Sequence, residues 1–149
     1  MDDFQKVIYN KYLYVPLLVW FCIQTFKVIT DLIRTKKFNF KRIMGAGGMP
    51  SSHSAVVATL TTLIGQEYGV ESGIFAMSCV FSAIVMYDAA GVRRAAGKQA
   101  TLLNKLVENA TNSGIVVSEK LVEVLGHTPL QVLVGAIIGV LVGLLYGMF

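Results

Sequence analysis

Charge is what this sequence is shortest of. Only 15% of its 149 residues are Asp, Glu, Lys or Arg, while 54% are hydrophobic. A soluble domain carries roughly a quarter charged residues. With a mean hydropathy of +0.62, the scarcity excludes an ordinary soluble domain and leaves a membrane protein, of a length that suits one domain over residues 1–149. Cysteine is scarce too. Cys22 and Cys79 each stand alone in an apolar run, without metal-ligand spacing, so they read as small core hydrophobes and neither a disulfide nor a metal site is expected. The net charge of +4 is modest, and no nucleic-acid partner is expected. The acidic start Met1-Asp2-Asp3-Phe4 shows no secretory signal. Histidine occurs twice, at 53 and 127, so any imidazole chemistry rests on those two positions.

What is present in quantity is long apolar runs, and they predict an all-α integral membrane helical bundle. About 20 apolar residues cross a bilayer core. Four transmembrane helices are expected, at about 12–33, 51–68, 74–90 and 129–149, the middle two slightly short. Residues 1–11 are polar and suit a short interfacial segment. A helical insertion at about 95–125 has apolar positions at Leu102, Leu103, Leu106 and Val107, then Leu121, Val122, Val124 and Leu125. It reads as one or two amphipathic helices broken near Asn112–Gly114, a lid or a lipid-facing platform. With four spans, the 34–50 loop and the 91–128 segment share one side. They hold ten of the thirteen basic residues: Arg34, Lys36, Lys37, Lys41, Arg42, Arg93, Arg94, Lys98, Lys105 and Lys120. The positive-inside rule puts that side in the cytoplasm of a multi-pass cell (inner) membrane protein. Gly135, Gly139, Gly143 and Gly147 recur every four residues in the last span. Such a face admits a closely approaching helix, inside the bundle or across a homodimer.

The stretch Gly45-Ala46-Gly47-Gly48-Met49-Pro50-Ser51-Ser52-His53 combines a permissive backbone, capping hydroxyls and an imidazole at a helix start. That combination suits a phosphate-like anion. Gln24, Lys27, Asp31 and Arg34 are spaced three, four and three apart, a polar stripe on one face of the first span. Ionisable groups within a span face a protein interior or a water-filled cavity. His127 precedes Thr128-Pro129, a capping residue and a proline suited to the first helical position. Both histidines thus fall at the basic ends of their helices. Joined by Arg93-Arg94 at the exit of the third span, they predict one cluster of cations and imidazoles able to bind a tetrahedral phosphate and stabilise its transfer.

The spacing Lys27-x6-Arg34, then Pro50-Ser51-Ser52-His53, then Arg93 or Arg94, then Gly126-His127-x3-Gln131 resembles the three-part signature of the type 2 phosphatidic acid phosphatase and vanadium haloperoxidase superfamily. The runs Gly47–His53 and Tyr87–Arg94 look like its short, divergent bacterial and plastid branch. The resemblance implies that His127 is the nucleophile, forming a phosphohistidine, and that His53 protonates the leaving oxygen and then activates water. It further implies that Lys27, Arg34 and Arg93 or Arg94 hold the phosphate oxygens, with Ser51 and the backbone near Ser52 completing the cradle. No metal or cofactor is implied. Three positions depart from the family pattern: Thr35 follows Arg34 where proline is usual, Ser52 replaces a glycine, and Gln131 replaces the aspartate that orients the nucleophile. An amide oxygen accepts a bond from a ring N–H and fixes the tautomer, but lacks the charge of a carboxylate. Asp88 is a second candidate for that support, and Gln24 extends the polar stripe.

The resulting expectation is a metal-independent lipid phosphatase at the cytoplasmic leaflet, acting on phosphatidylglycerophosphate or phosphatidic acid. The alternatives are a polyprenyl diphosphate phosphatase and a non-enzymatic, dimeric transporter or anion-binding membrane protein.

Overall fold

The computed structural model describes residues 2–36, 48–112 and 126–148, the side chains of residues 93, 94 and 110–112 excepted. Every regular element among them is helical: α1 (Asp3–Ile8), α2 (Lys11–Thr35), α3 (Ser52–Tyr68), α4 (Gly73–Ala90), α5 (Val92–Asn112) and α6 (Pro129–Tyr146). This is the all-α membrane bundle expected from composition. Lys37, Lys41, Arg42, Gly45 and Gly47 lie outside the described residues, as does the remainder of the insertion from residue 113 to 125.

The helices begin where local chemistry satisfies the first N–H groups. The side chains of Asn10, Ser51, Ser72 and Thr128 cap α2, α3, α4 and α6 respectively. Helix α2 ends at Lys36, whose φ of 54° is left-handed. At 25 residues it is roughly 37 Å long, more than a bilayer core requires.

Among the described residues, three stretches are long and apolar enough to cross a membrane: Lys11–Thr35, the run Gly73–Asn109 that passes from α4 into α5, and Pro129–Tyr146. The second expected span is α3, which has 17 residues. It packs against α2, α4 and α6 and so presents much of its surface to protein rather than lipid. That position explains its small and hydroxylated residues. Ser51, Ser52, Ser54, Ala55, Ala58 and Thr59 are all buried.

The glycine face of α6 lies on this helix. A Cβ at Gly135 would strike the Ser51 carbonyl. One at Gly139 would strike the Ala55 carbonyl and come within 2.8 Å of the Ala58 Cβ, and one at Gly143 would reach 2.6 Å from the Thr62 Cβ. The face is therefore taken up within the chain. Gly135, Gly139 and Gly143 are covered by α3, the first of the two uses expected of this face. Hydroxyls supplement the close contact, as interhelical hydrogen bonds do in membranes. Thr59 Oγ1 lies 3.1 Å from the Gly139 carbonyl. Between α3 and α4, the Thr61 and Ser82 hydroxyls meet at 2.7 Å, and Ser82 donates to the Val57 carbonyl at 3.1 Å.

The end of the bundle away from the histidines is tied by Lys11 and Glu67, at 2.6 Å, and by a hydrogen bond between the Tyr14 and Tyr146 hydroxyls. Helix α5 leaves α4 after Gly91, and α4 is its main partner among the described helices. Leu102, Leu103 and Leu106 are exposed along it, consistent with the amphipathic reading.

Candidate active site

The C-terminal part of α2, the start of α3, the end of α4 and the start of α6 meet at one end of the bundle, and two backbone hydrogen bonds fasten the meeting point. Ser51 N–H donates to the Gln131 carbonyl at 3.0 Å, and His127 N–H donates to the Ala89 carbonyl at 3.1 Å. The first joins the start of α3 to α6, and the second ties the approach to α6 onto the end of α4.

His127 is buried, 2% exposed, and sits immediately before the Thr128 cap. Gln131 N–H donates to Thr128 Oγ1 at 3.4 Å, while Thr128 N–H donates to Gln131 Oε1 at 3.0 Å. This is a capping box, in which two otherwise orphan donors are satisfied reciprocally. Because a backbone N–H only donates, the atom facing it must be the amide oxygen, which fixes the orientation of the Gln131 side chain. The same oxygen lies 3.3 Å from His127 Nδ1. An amide oxygen only accepts, so Nδ1 carries the proton and the ring lone pair resides on Nε2. Gln131 thus does what the resemblance assigns to an aspartate, as far as tautomer and orientation go.

His53 occupies the first turn of α3 and is half-buried. Its ring centroid stands 6.2 Å from that of His127, the rings inclined by 60°. Ser52 is buried beside it. Ser51 is also brought to the site, but it is fully buried and its hydroxyl accepts from Ser54 N–H at 3.4 Å and Ser54 Oγ at 3.0 Å. With its N–H given to Gln131, Ser51 also fastens the start of α3 to α6.

Alongside Gln131 lies a cavity of about 300 Å³, walled by Lys27, Thr30, Asp31 and Arg34 of α2 and floored by Gly48 and Met49. Lys27 is 2% exposed, Asp31 half-buried and Arg34 exposed, so cationic charge runs from the interior to the mouth. Gly48 takes a φ of 94°, which favours glycine and brings backbone rather than side chain to the cavity. The starts of α3 and α6 point their positive ends to this side of the molecule, and an anion is favoured there.

Not every expected residue arrives. Gln24 is buried one turn deeper on α2 and lines a separate, apolar cavity of about 230 Å³, so the polar stripe divides. Asp88 is half-buried in the last turn of α4, next to Ala89, and the His127 ring is met by Gln131. The backbone puts Arg93 and Arg94 in the first turn of α5, while their side chains lie outside the described parts. Sequence reasoning passed over Thr30, Met49 and the Ala89 carbonyl. It reads Gln131 as an acceptor for the ring and not as half of a capping box. The pattern Thr-x-x-Gln before an apolar run is a capping-box signature and marks Gln131 as held in place. Among the described residues, no three His, Cys, Asp or Glu side chains gather as a metal site requires.

A model described as the "Divergent PAP2 family" matches residues 8–142. An uncharacterized membrane protein of Bacillus subtilis (strain 168), YuiD, is 41% identical over 137 residues, covering 85% of this chain and 87% of the relative. No solved structure matches.

Proposed function

The chain belongs to the divergent PAP2 family, and from that premise we propose that it is a lipid phosphate phosphatase of the cytoplasmic leaflet, working through a phosphohistidine on His127. The observation that carries this reading is the pairing of His53 with a His127 whose Nδ1 faces the capped Gln131 amide oxygen, beside a cationic cavity. The His127 Nε2 lone pair attacks phosphorus while the bond from phosphorus to the lipid oxygen breaks. His53, protonated, gives its proton to that leaving oxygen. Water then attacks the phosphohistidine, passing a proton to His53 as the phosphorus–nitrogen bond breaks, so phosphate leaves and both rings return to their starting states. Lys27 and Arg34, with Arg93 and Arg94 at the start of α5, neutralise the phosphoryl oxygens, where charge stabilisation in such transfers is concentrated.

The basic residues around this end of the bundle support a cytoplasmic orientation for it. A substrate made on the inner leaflet, such as phosphatidylglycerophosphate or phosphatidic acid, therefore fits better than a polyprenyl diphosphate handled outside. Assay of the purified protein against all three lipids, with a chelator present, should give phosphate release from an inner-leaflet lipid. Release from the polyprenyl lipid alone would sink the substrate assignment. Gln131 in place of a carboxylate favours a second reading, an anion-binding membrane protein that lacks turnover. Saturable binding of a lipid phosphate without any phosphate release would select it.

A further inference from the structure

Beside the polar cavity lies a larger one, about 570 Å³, formed between α2 and α6 by Cys22, Ile23, Phe26, Val134 and Ile138. Met49 lines both cavities, so they adjoin. The change of character is ordered the same way on each helix. Along α6, Gln131 lines the polar cavity and Val134 and Ile138, three and seven residues on, line the apolar one. Along α2, running the opposite way, Arg34, Asp31, Thr30 and Lys27 give way to Phe26, Ile23 and Cys22. Two antiparallel helices thus present a polar compartment that passes into an apolar groove at one depth, the outline of an amphiphile. Phe26 (54%) and Met49 (48%) leave the groove open at its side, where a spanning helix meets bilayer.

We infer that this α2–α6 groove seats the upper part of one acyl chain of a membrane lipid whose phosphate occupies the Lys27–Arg34 cavity, so that substrate reaches the histidines sideways from the bilayer. This rests on the phosphatase reading for its choice of head group. The length from Gln131 to Ile138 is roughly 10 Å of helix rise, enough to hold the first part of a chain and too little for all of it. Selection by the groove therefore favours lipid phosphates over soluble ones without measuring total chain length. The burial of each methylene there adds to binding.

The test is a comparison of kcat/KM on long-chain phosphatidic acid and on a short-chain, water-soluble analogue, for the native protein, Cys22→Trp and Val134→Phe. Cys22 is exposed and Val134 half-buried, so neither enlargement is forced into the closed core. Excluding about two methylenes lowers the long-to-short ratio roughly tenfold. A second readout needs neither variant nor turnover. Modification of Cys22 in the native protein by a small membrane-permeant maleimide, quantified by mass spectrometry against Cys79 on α4, is slowed by long-chain phosphatidic acid and not by inorganic phosphate. An unchanged ratio in both variants, or Cys22 labelling unaffected by the long-chain lipid, overturns the groove while leaving the phosphatase intact. Protection of Cys22 in a protein that releases no phosphate supports the groove and rejects the phosphatase instead.

Discussion

His127 lies outside its helix, one residue before the cap, and this placement decides its chemistry. A ring within the first turn would point wherever the helix turned it. His127, with its backbone N–H given to the Ala89 carbonyl and its ring met by the Gln131 amide, is positioned by two elements at once. Removing the acceptor should therefore cost turnover more than binding. Gln131→Met, which keeps length and loses the acceptor, is expected to lower kcat on the order of 10²-fold, in the range a positioned general base contributes, with little change in KM. Gln131→Glu keeps both the cap and an acceptor, and it adds the charge that stabilises imidazolium, so it should retain kcat. Loss of activity in both variants alike would show that the amide acts otherwise. The pairing of His53 with His127 was legible in the sequence because histidine occurs only twice, each time at a helix start expected at the same end of the bundle. The lock on His127 was less so, since the amide could be read as an acceptor for the ring but its seat in the Thr128 capping box could not be read from the missing carboxylate. The cavity-lining Thr30 and Met49 carry no type-specific signal, and only packing reveals them.

Helix α3 organises the bundle by being small where its neighbours are close. The stripe of glycines in α6 announced a close approach, yet the partner could not be read from α6 itself. It is identified by the matching run Ser51, Ala55, Ala58, Thr59 and Thr62 on α3, whose backbone the glycines touch. Such complementarity between two separated segments depends on which faces meet, and periodicity within either one does not specify it. The expected consequence is asymmetric. Gly139→Leu, forced against the Ala55 carbonyl and Ala58, should destabilise by about 1–3 kcal/mol and displace Gln131 on the same helix. Gly73→Ala, where an added Cβ meets nothing within 4 Å, should stay within about 0.5 kcal/mol. Thermal unfolding in detergent separates them. Equal stability of the two variants would mean that α3 and α6 are not packed this way.

For the molecule as a whole, the sequence was informative about architecture because low charge and long apolar runs leave few solutions in a bilayer. Helices α2, α4 and α6 fall near the expected 12–33, 74–90 and 129–149, while among the described residues three stretches rather than four are long and apolar enough to cross a membrane. The convergence of Lys27, His53, Gln131 and His127 was expected from the motifs and not from composition, since it requires three segments to finish at one end in a particular arrangement. The basic asymmetry predicts which way that end faces. In a background with Cys22 and Cys79 replaced by Ala, Glu71→Cys, between α3 and α4, should react with a membrane-impermeant thiol reagent on intact cells. Lys98→Cys on α5 should react only after permeabilisation, and the reverse pattern would move the site to the outer face. What would tie site, fold and orientation together is the proposed phosphohistidine at His127. Rapid denaturing quench of the protein turning over phosphatidic acid, followed by mass spectrometry of its peptides, should find a phosphoryl adduct on His127, and His127→Ala should lose both adduct and phosphate release. Undiminished phosphate release by His127→Ala would contradict the mechanism outright.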